Sequence, residues 1–126
     1  EARFHSDYPF VQEGLSWLAR GKTFALRLTA RGSTDWTAHT EVQPFENVSN
    51  KVIRHYPVLT WETGRQTRSV LVTVLEVIPT GNPGPDVPAL HWDGTRMNLS
   101  LTRAGKRETL QIRPFLEDSL AIGLEF

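Results

Sequence analysis

The chain contains no cysteine. Disulfides, thiolate metal sites and a cysteine nucleophile are therefore excluded. The compartment stays open, because exported bacterial domains often lack cysteine too. Excess charge of either sign is also missing, with 14 basic residues against 14 acidic ones. A neutral domain lacks the electrostatic footprint of a nucleic-acid or anionic-membrane binder, so neither partner is expected. The short basic cluster of Arg103, Lys106 and Arg107 reads as a solvated turn. No apolar run approaches the roughly 20 residues that a membrane-spanning helix needs, so no membrane insertion is expected. A start at Glu1 rather than Met reads as a processed protein or an excised domain.

Several catalytic signatures are absent as well. The four histidines, His5, His39, His55 and His91, are scattered without a His-x-His or His-x-x-x-His pair. Nothing in that spacing predicts a metal site or a cofactor. There is no Gly-x-Ser-x-Gly elbow for serine-hydrolase chemistry. Gly81 to Gly84 lacks the following helix and the basic residue of a phosphate loop. No catalytic residue is assigned.

What is present is strand patterning. A length of 126 residues fits one domain, 1–126, with a real core. Phe24, Leu26, Leu28 and Ala30 alternate with Ala25, Arg27, Thr29 and Arg31, which is period two with one face buried and one wet. Trp36 to Val42 repeats the alternation, and Pro44 then breaks the ladder. Val52–Ile53 predicts a short strand and Val58–Glu62 a clearer one. Val70–Val77 is the most apolar stretch, and its two hydrophobic faces predict a central strand covered on both sides. Pro79–Pro88 predicts a long exposed loop with polyproline character. Asp93-Gly94 predicts a type I′ hairpin, and Ala104-Gly105 a second hairpin. Leu120, Ile122, Leu124 and Phe126 alternate as a final strand. Helix is scarce, with one short turn expected within Val11–Ala19. The fold class is all-β: an antiparallel β-sandwich of roughly eight to nine strands, with a small closed β-barrel as the alternative.

Two places carry candidate chemistry. Phe4-His5-Ser6-Asp7-Tyr8 has residue types suited to proton transfer, but it lies at the N-terminus, where chains are often poorly held. The second is the corner of His91, Trp92 and Asp93, with Arg96 just past the turn. Four tryptophans are many for this length, and an indole can stack on the apolar face of a pyranose. Trp36 and Trp61 read as core, while Trp92 beside the hairpin reads as a rim residue. His91 has two readings, a sugar or metal contact at the mouth of a sheet or a plain turn-adjacent polar residue.

The stretch Val58-Leu-Thr-Trp-Glu-Thr-Gly-Arg-Gln-Thr-Arg-Ser-Val-Leu-Val-Thr-Val-Leu-Glu76 resembles the β-domain of heparinase II/III-like polysaccharide lyases. Those domains carry a strand ending in a Thr-Val-Leu-Glu-Pro-like segment, and Val72-Thr-Val-Leu-Glu76 is close to it. The resemblance covers about half the chain. Such lyases act on uronate-containing polysaccharides by β-elimination and keep most of their catalytic groups on a helical toroid and a histidine-rich segment. This chain has neither feature. The resemblance therefore implies a non-catalytic β-sandwich accessory domain, secreted or periplasmic, whose partners are a polysaccharide and an adjacent catalytic domain. A free-standing carbohydrate-binding or adhesion module, a barrel for an apolar ligand and a structural assembly subunit are the competing readings.

Overall fold

The alternation beginning at Phe24 does form a strand, and the rest of the chain is built around it. The computed structural model describes residues 1–114 except 48 and 50. The expected final strand over Leu120–Phe126 lies outside the described residues. Among the described residues the fold is all-β, with β1 (Ala2–His5), β2 (Phe10–Glu13), β3 (Ser16–Arg20), β4 (Phe24–Gly32), β5 (Trp36–Asn47), β6 (Val52–Thr63), β7 (Leu71–Pro79), β8 (Ala89–Asp93), β9 (Arg96–Arg103) and β10 (Lys106–Ile112). They pair antiparallel in three sheets, ordered β1-β6-β5, β2-β3-β4-β7 and β10-β9-β8. None of these sheets closes on itself, so the architecture is a sandwich and the barrel alternative falls.

The core lies between the first two sheets. Phe10, Ala19, Leu28, Leu59 and Trp61 are buried together there, with Phe4, Trp17, Leu26, Trp36 and Leu71 packed around them. Phe4 meets Trp61 edge to face, with ring centroids 5.5 Å apart. That contact and the pairing of Ala2–His5 with Val58–Trp61 hold the N-terminus in place, contrary to the expectation of a loose end. The third sheet comes against the second through β8 and β4.

Four local expectations are corrected. Val11–Ala19 holds no helical turn; Phe10–Glu13 and Ser16–Arg20 form a hairpin. Its turn begins at Gly14 with φ 60°, a conformation that glycine adopts without a Cβ clash. Val52–Ile53 and Val58–Glu62 are parts of one twelve-residue strand, β6. Pro44 does not end β5, which continues to Asn47. Val42 faces Pro57 and Pro44 faces His55 on alternate rungs, so both prolines occupy the same class of rung. In that class the N–H points away from the partner strand, so the missing donor leaves the β5–β6 ladder intact.

The fourth correction concerns Val70–Val77. Among the described residues the strand there, β7, is an edge and not a centre, since it pairs with β4 alone. Leu75 and Val77 are 57% and 64% exposed. Ile78, on the other face, is buried, because the chain turns back over it with Gly84 against its side chain. The apolar character of both faces thus reflects a covering loop on one side and an open seam on the other.

The two later hairpins occur where expected. Asp93 faces Arg96, so the two-residue loop is Gly94-Thr95, one position on from the Asp93-Gly94 turn foreseen. Gly94 has φ 60° and Thr95 does not share the positive φ, which is the type II′ pattern in place of type I′. Ala104 and Gly105 both have positive φ, 49° and 75°, as a type I′ loop requires. Arg103, Lys106 and Arg107 around that loop are exposed, as a solvated turn implies.

Candidate functional site

The ends of several strands converge on one open groove of about 480 Å³. The C-terminal end of β4 supplies Arg31, the connection to β5 supplies Asp35, and β5 opens with Trp36. Trp61 comes from β6, and His91 and Trp92 come from β8. Three of the four tryptophans in the chain therefore border a single depression.

The position of Trp36 depends on a missing side chain. A Cβ on Gly32 would lie 1.8 Å from the Trp36 ring, so the indole can rest there only over glycine. Any larger residue would force the ring out of place. Trp36 Nε1 donates to Ser69 Oγ at 2.9 Å, which fixes the ring's rotation. Ser69 Oγ also shares a proton with Thr34 Oγ1 at 2.8 Å. Ser33 Oγ accepts from the Val70 amide at 3.0 Å, and the Ser33 amide donates to the Val70 carbonyl at 2.8 Å. Thr63 Oγ1 donates to the Asp35 carbonyl at 2.8 Å. These bonds tie the 33–35 turn to the 64–70 connection, so the groove wall is cross-linked on two sides.

The four residues anticipated for binding divide into two pairs. His91 and Trp92 line the groove. They point to opposite faces of β8, yet both reach it because β8 is an edge strand. Trp92 is half-buried, and its Nε1 lies 3.5 Å from the Arg31 carbonyl. Asp93 and Arg96 do not line the groove. They bridge to each other across the hairpin at 3.2 Å, with both side chains about half exposed, and act as a clamp on that turn.

Sequence reasoning missed that Arg31, Asp35 and Trp36 border one groove. Arg31 is exposed and Trp36 packs against the core, as read from the alternation, and both also line the depression. The available signal was Gly32 four residues before Trp36, whose missing side chain leaves room for the indole. Among the described residues, Arg31 has no ion-pair partner. Among the described residues, no group of three or more His, Asp or Glu side chains is placed to hold a metal. No helix there is long and apolar enough to cross a membrane.

The Pro79–Pro88 segment is largely exposed, as expected, and it is also anchored. The Arg27 guanidinium donates to the Pro85 carbonyl at 2.7 Å and to the Asp86 carbonyl at 3.3 Å. The same guanidinium grips Glu76 bidentately at 2.7 and 3.0 Å. Pro88 is buried. The loop therefore has a structural anchor, and it does not border the tryptophan groove.

The resolved shifts in acidity lie elsewhere, at the exposed start of β1. There the hydrogen bond from Arg3, at 2.6 Å, holds the Glu1 carboxyl below its ordinary range, and the same bond raises Arg3. Comparison with protein-family models, with curated protein sequences and with solved structures finds no match to this chain.

Proposed function

We propose that this chain is a non-catalytic β-sandwich accessory module of a polysaccharide-degrading enzyme, and that it contacts glycan through the tryptophan groove. The observation that carries this reading is the meeting of the half-buried Trp36 and Trp92 in one open depression, above the buried Trp61 and with polar groups at its rim. Sugars need that combination. The C–H face of a pyranose stacks on an indole, while its hydroxyls need hydrogen-bonding partners at the edge. A cross-linked wall also limits the conformational entropy lost when a ligand is held.

Arg31 narrows the substrate class. Among the described residues the Arg31 guanidinium has no ion-pair partner, although Asp35 also lines the groove, and a guanidinium so placed favours a glycan bearing carboxylates. Uronate-containing polysaccharide fits both that charge and the lyase-like strand pattern around Val72–Glu76. A neighbouring catalytic domain would supply the chemistry.

Affinity electrophoresis through gels cast with uronate-containing or neutral polysaccharide tests the reading. The protein is expected to be retarded most in the acidic glycan. Trp92→Ala should weaken that binding roughly tenfold, the order expected for losing one stacked ring. Arg31→Gln should remove the preference for acidic over neutral glycan. Unretarded migration of the wild-type protein in every gel would sink the proposal.

A further inference from the structure

At the opposite end of the same sandwich lies a second, chemically different pocket of about 320 Å³. The groove sits where β4 ends, and this pocket sits where β4 begins at Phe24. The nine residues of β4 put the two sites roughly 26 Å apart, at about 3.3 Å per residue step. Its walls are aromatic: Tyr8, Phe24 and Tyr56 line it together with His5. Tyr8 and Phe24 are 39% and 46% exposed, so their rings are open to a ligand. The Tyr8 ring lies over Gly21, where an added Cβ would come 3.0 Å from it. Tyr56 is buttressed from outside by Phe45, edge to face at 5.9 Å, and Phe45 in turn meets His5 at 5.6 Å. The Tyr8, Tyr56 and His5 rings are thus set against neighbours.

The polar groups of this lining are the Asp7 carboxylate, the His5 imidazole and the hydroxyls of Ser6, Tyr8 and Tyr56. Asp7 contributes a carboxylate that has no partner among the described residues. Ser6 Oγ is already engaged, accepting from the Tyr8 amide at 3.0 Å. No lysine or arginine is in the lining, in a chain that carries 14 of them. A lining without lysine or arginine among the described residues makes a poor anion site. Aromatic faces beside an unpaired carboxylate suit the opposite ligand, because ring quadrupoles attract a cation and the carboxylate adds to that attraction.

We infer that this pocket binds an alkylammonium group through Tyr8, Phe24, Tyr56 and Asp7. The site is independent of the glycan reading, and Trp92→Ala leaves it unchanged. The test titrates choline chloride into the full chain and follows backbone amide NMR signals. A parallel titration uses 3,3-dimethyl-1-butanol, which has the same shape without the charge. Choline is expected to shift the signals of Asp7, Tyr8, Phe24 and Tyr56 and to saturate in the millimolar range. The neutral isostere should bind roughly tenfold more weakly, the order of one cation–π interaction. Asp7→Asn, at an exposed position with no contact to lose, should weaken choline several-fold and leave the isostere unaffected. Tyr8→Leu should weaken both. Equal affinity for choline and its isostere would overturn the inference. So would choline shifts confined to other residues, or none at all.

Discussion

One face of β4 carries Leu26, Leu28 and Ala30 against the first sheet, and the other carries Arg27 and Thr29. Leu28 is 1% exposed, while Arg27 and Thr29 are 6% and 3% exposed. The two faces are buried alike and stabilised differently. The leucine face gains by leaving water and by close packing. The polar face loses hydration, and each group on it recovers a partner. Arg27 holds Glu76 and two loop carbonyls, and Thr29 shares a proton with Ser16 at 2.7 Å. The alternation that marks a half-wet strand can therefore also mark a strand buried on both sides, when the polar residues bring complements from elsewhere in the chain.

The largest effect should come from leaving one of those complements unmatched. Glu76→Ala strands the Arg27 guanidinium, whose side chain is 8% exposed, without its carboxylate. Breaking a buried pair in this way costs about 3–5 kcal/mol. Urea denaturation of the variant should show that loss. Arg27→Met combined with Glu76→Leu should be much milder, because no charge is then left unpaired. A cost below about 1 kcal/mol for Glu76→Ala would mean that water already reaches the pair, and the contrast between the faces would collapse.

The apolar face is expected to come next. Leu28→Ala removes a side chain fully enclosed between two sheets and leaves a cavity. The cost is about 3 kcal/mol, with the exact value set by how far the neighbours relax. No second substitution nearby should rescue it unless it refills the volume, whereas the Glu76 defect is rescued by removing its partner. Thermal denaturation of Leu28→Ala, alone and with Arg27→Met, measures this. Recovery with Arg27→Met would blur the distinction between a packing defect and an unmatched charge.

What could be read from the sequence follows the range of the interactions involved. The strand at Phe24–Gly32 and the turns at Gly94-Thr95 and Ala104-Gly105 are local, and the residues within a few positions decide them. The role of β7 is not local. Its double apolar face arises because Ile78 is covered by Gly84 from a returning loop, while Leu75 and Val77 stay open. Period-two counting cannot separate that case from a strand flanked on both sides. The groove is less local still. Arg31, Trp36, Trp61 and Trp92 come from four strands, and no spacing in the chain announces their meeting. Only the Trp92 corner was legible, because a tryptophan beside a tight turn belongs at a rim. Asp93 and Arg96 stay outside the groove because they flank the hairpin turn, where opposite charges pair across the two strands.

The smallest effect separates the two kinds of burial most cleanly. Ser16 and Thr29 face each other across β3 and β4, are almost fully enclosed, and bond hydroxyl to hydroxyl. Ser16→Ala removes one partner and leaves the Thr29 hydroxyl buried and unmatched, at a cost of about 1 kcal/mol. Adding Thr29→Val removes the second hydroxyl while keeping the shape of the side chain. The double variant should then be more stable than Ser16→Ala alone, even though it carries one substitution more. A packing defect does not behave in this way, because deleting further atoms beside a cavity enlarges it. Chemical denaturation of the two single variants and the double variant gives the sign directly. A double variant less stable than either single one would show that this pair contributes through packing, as Leu28 does on the opposite face.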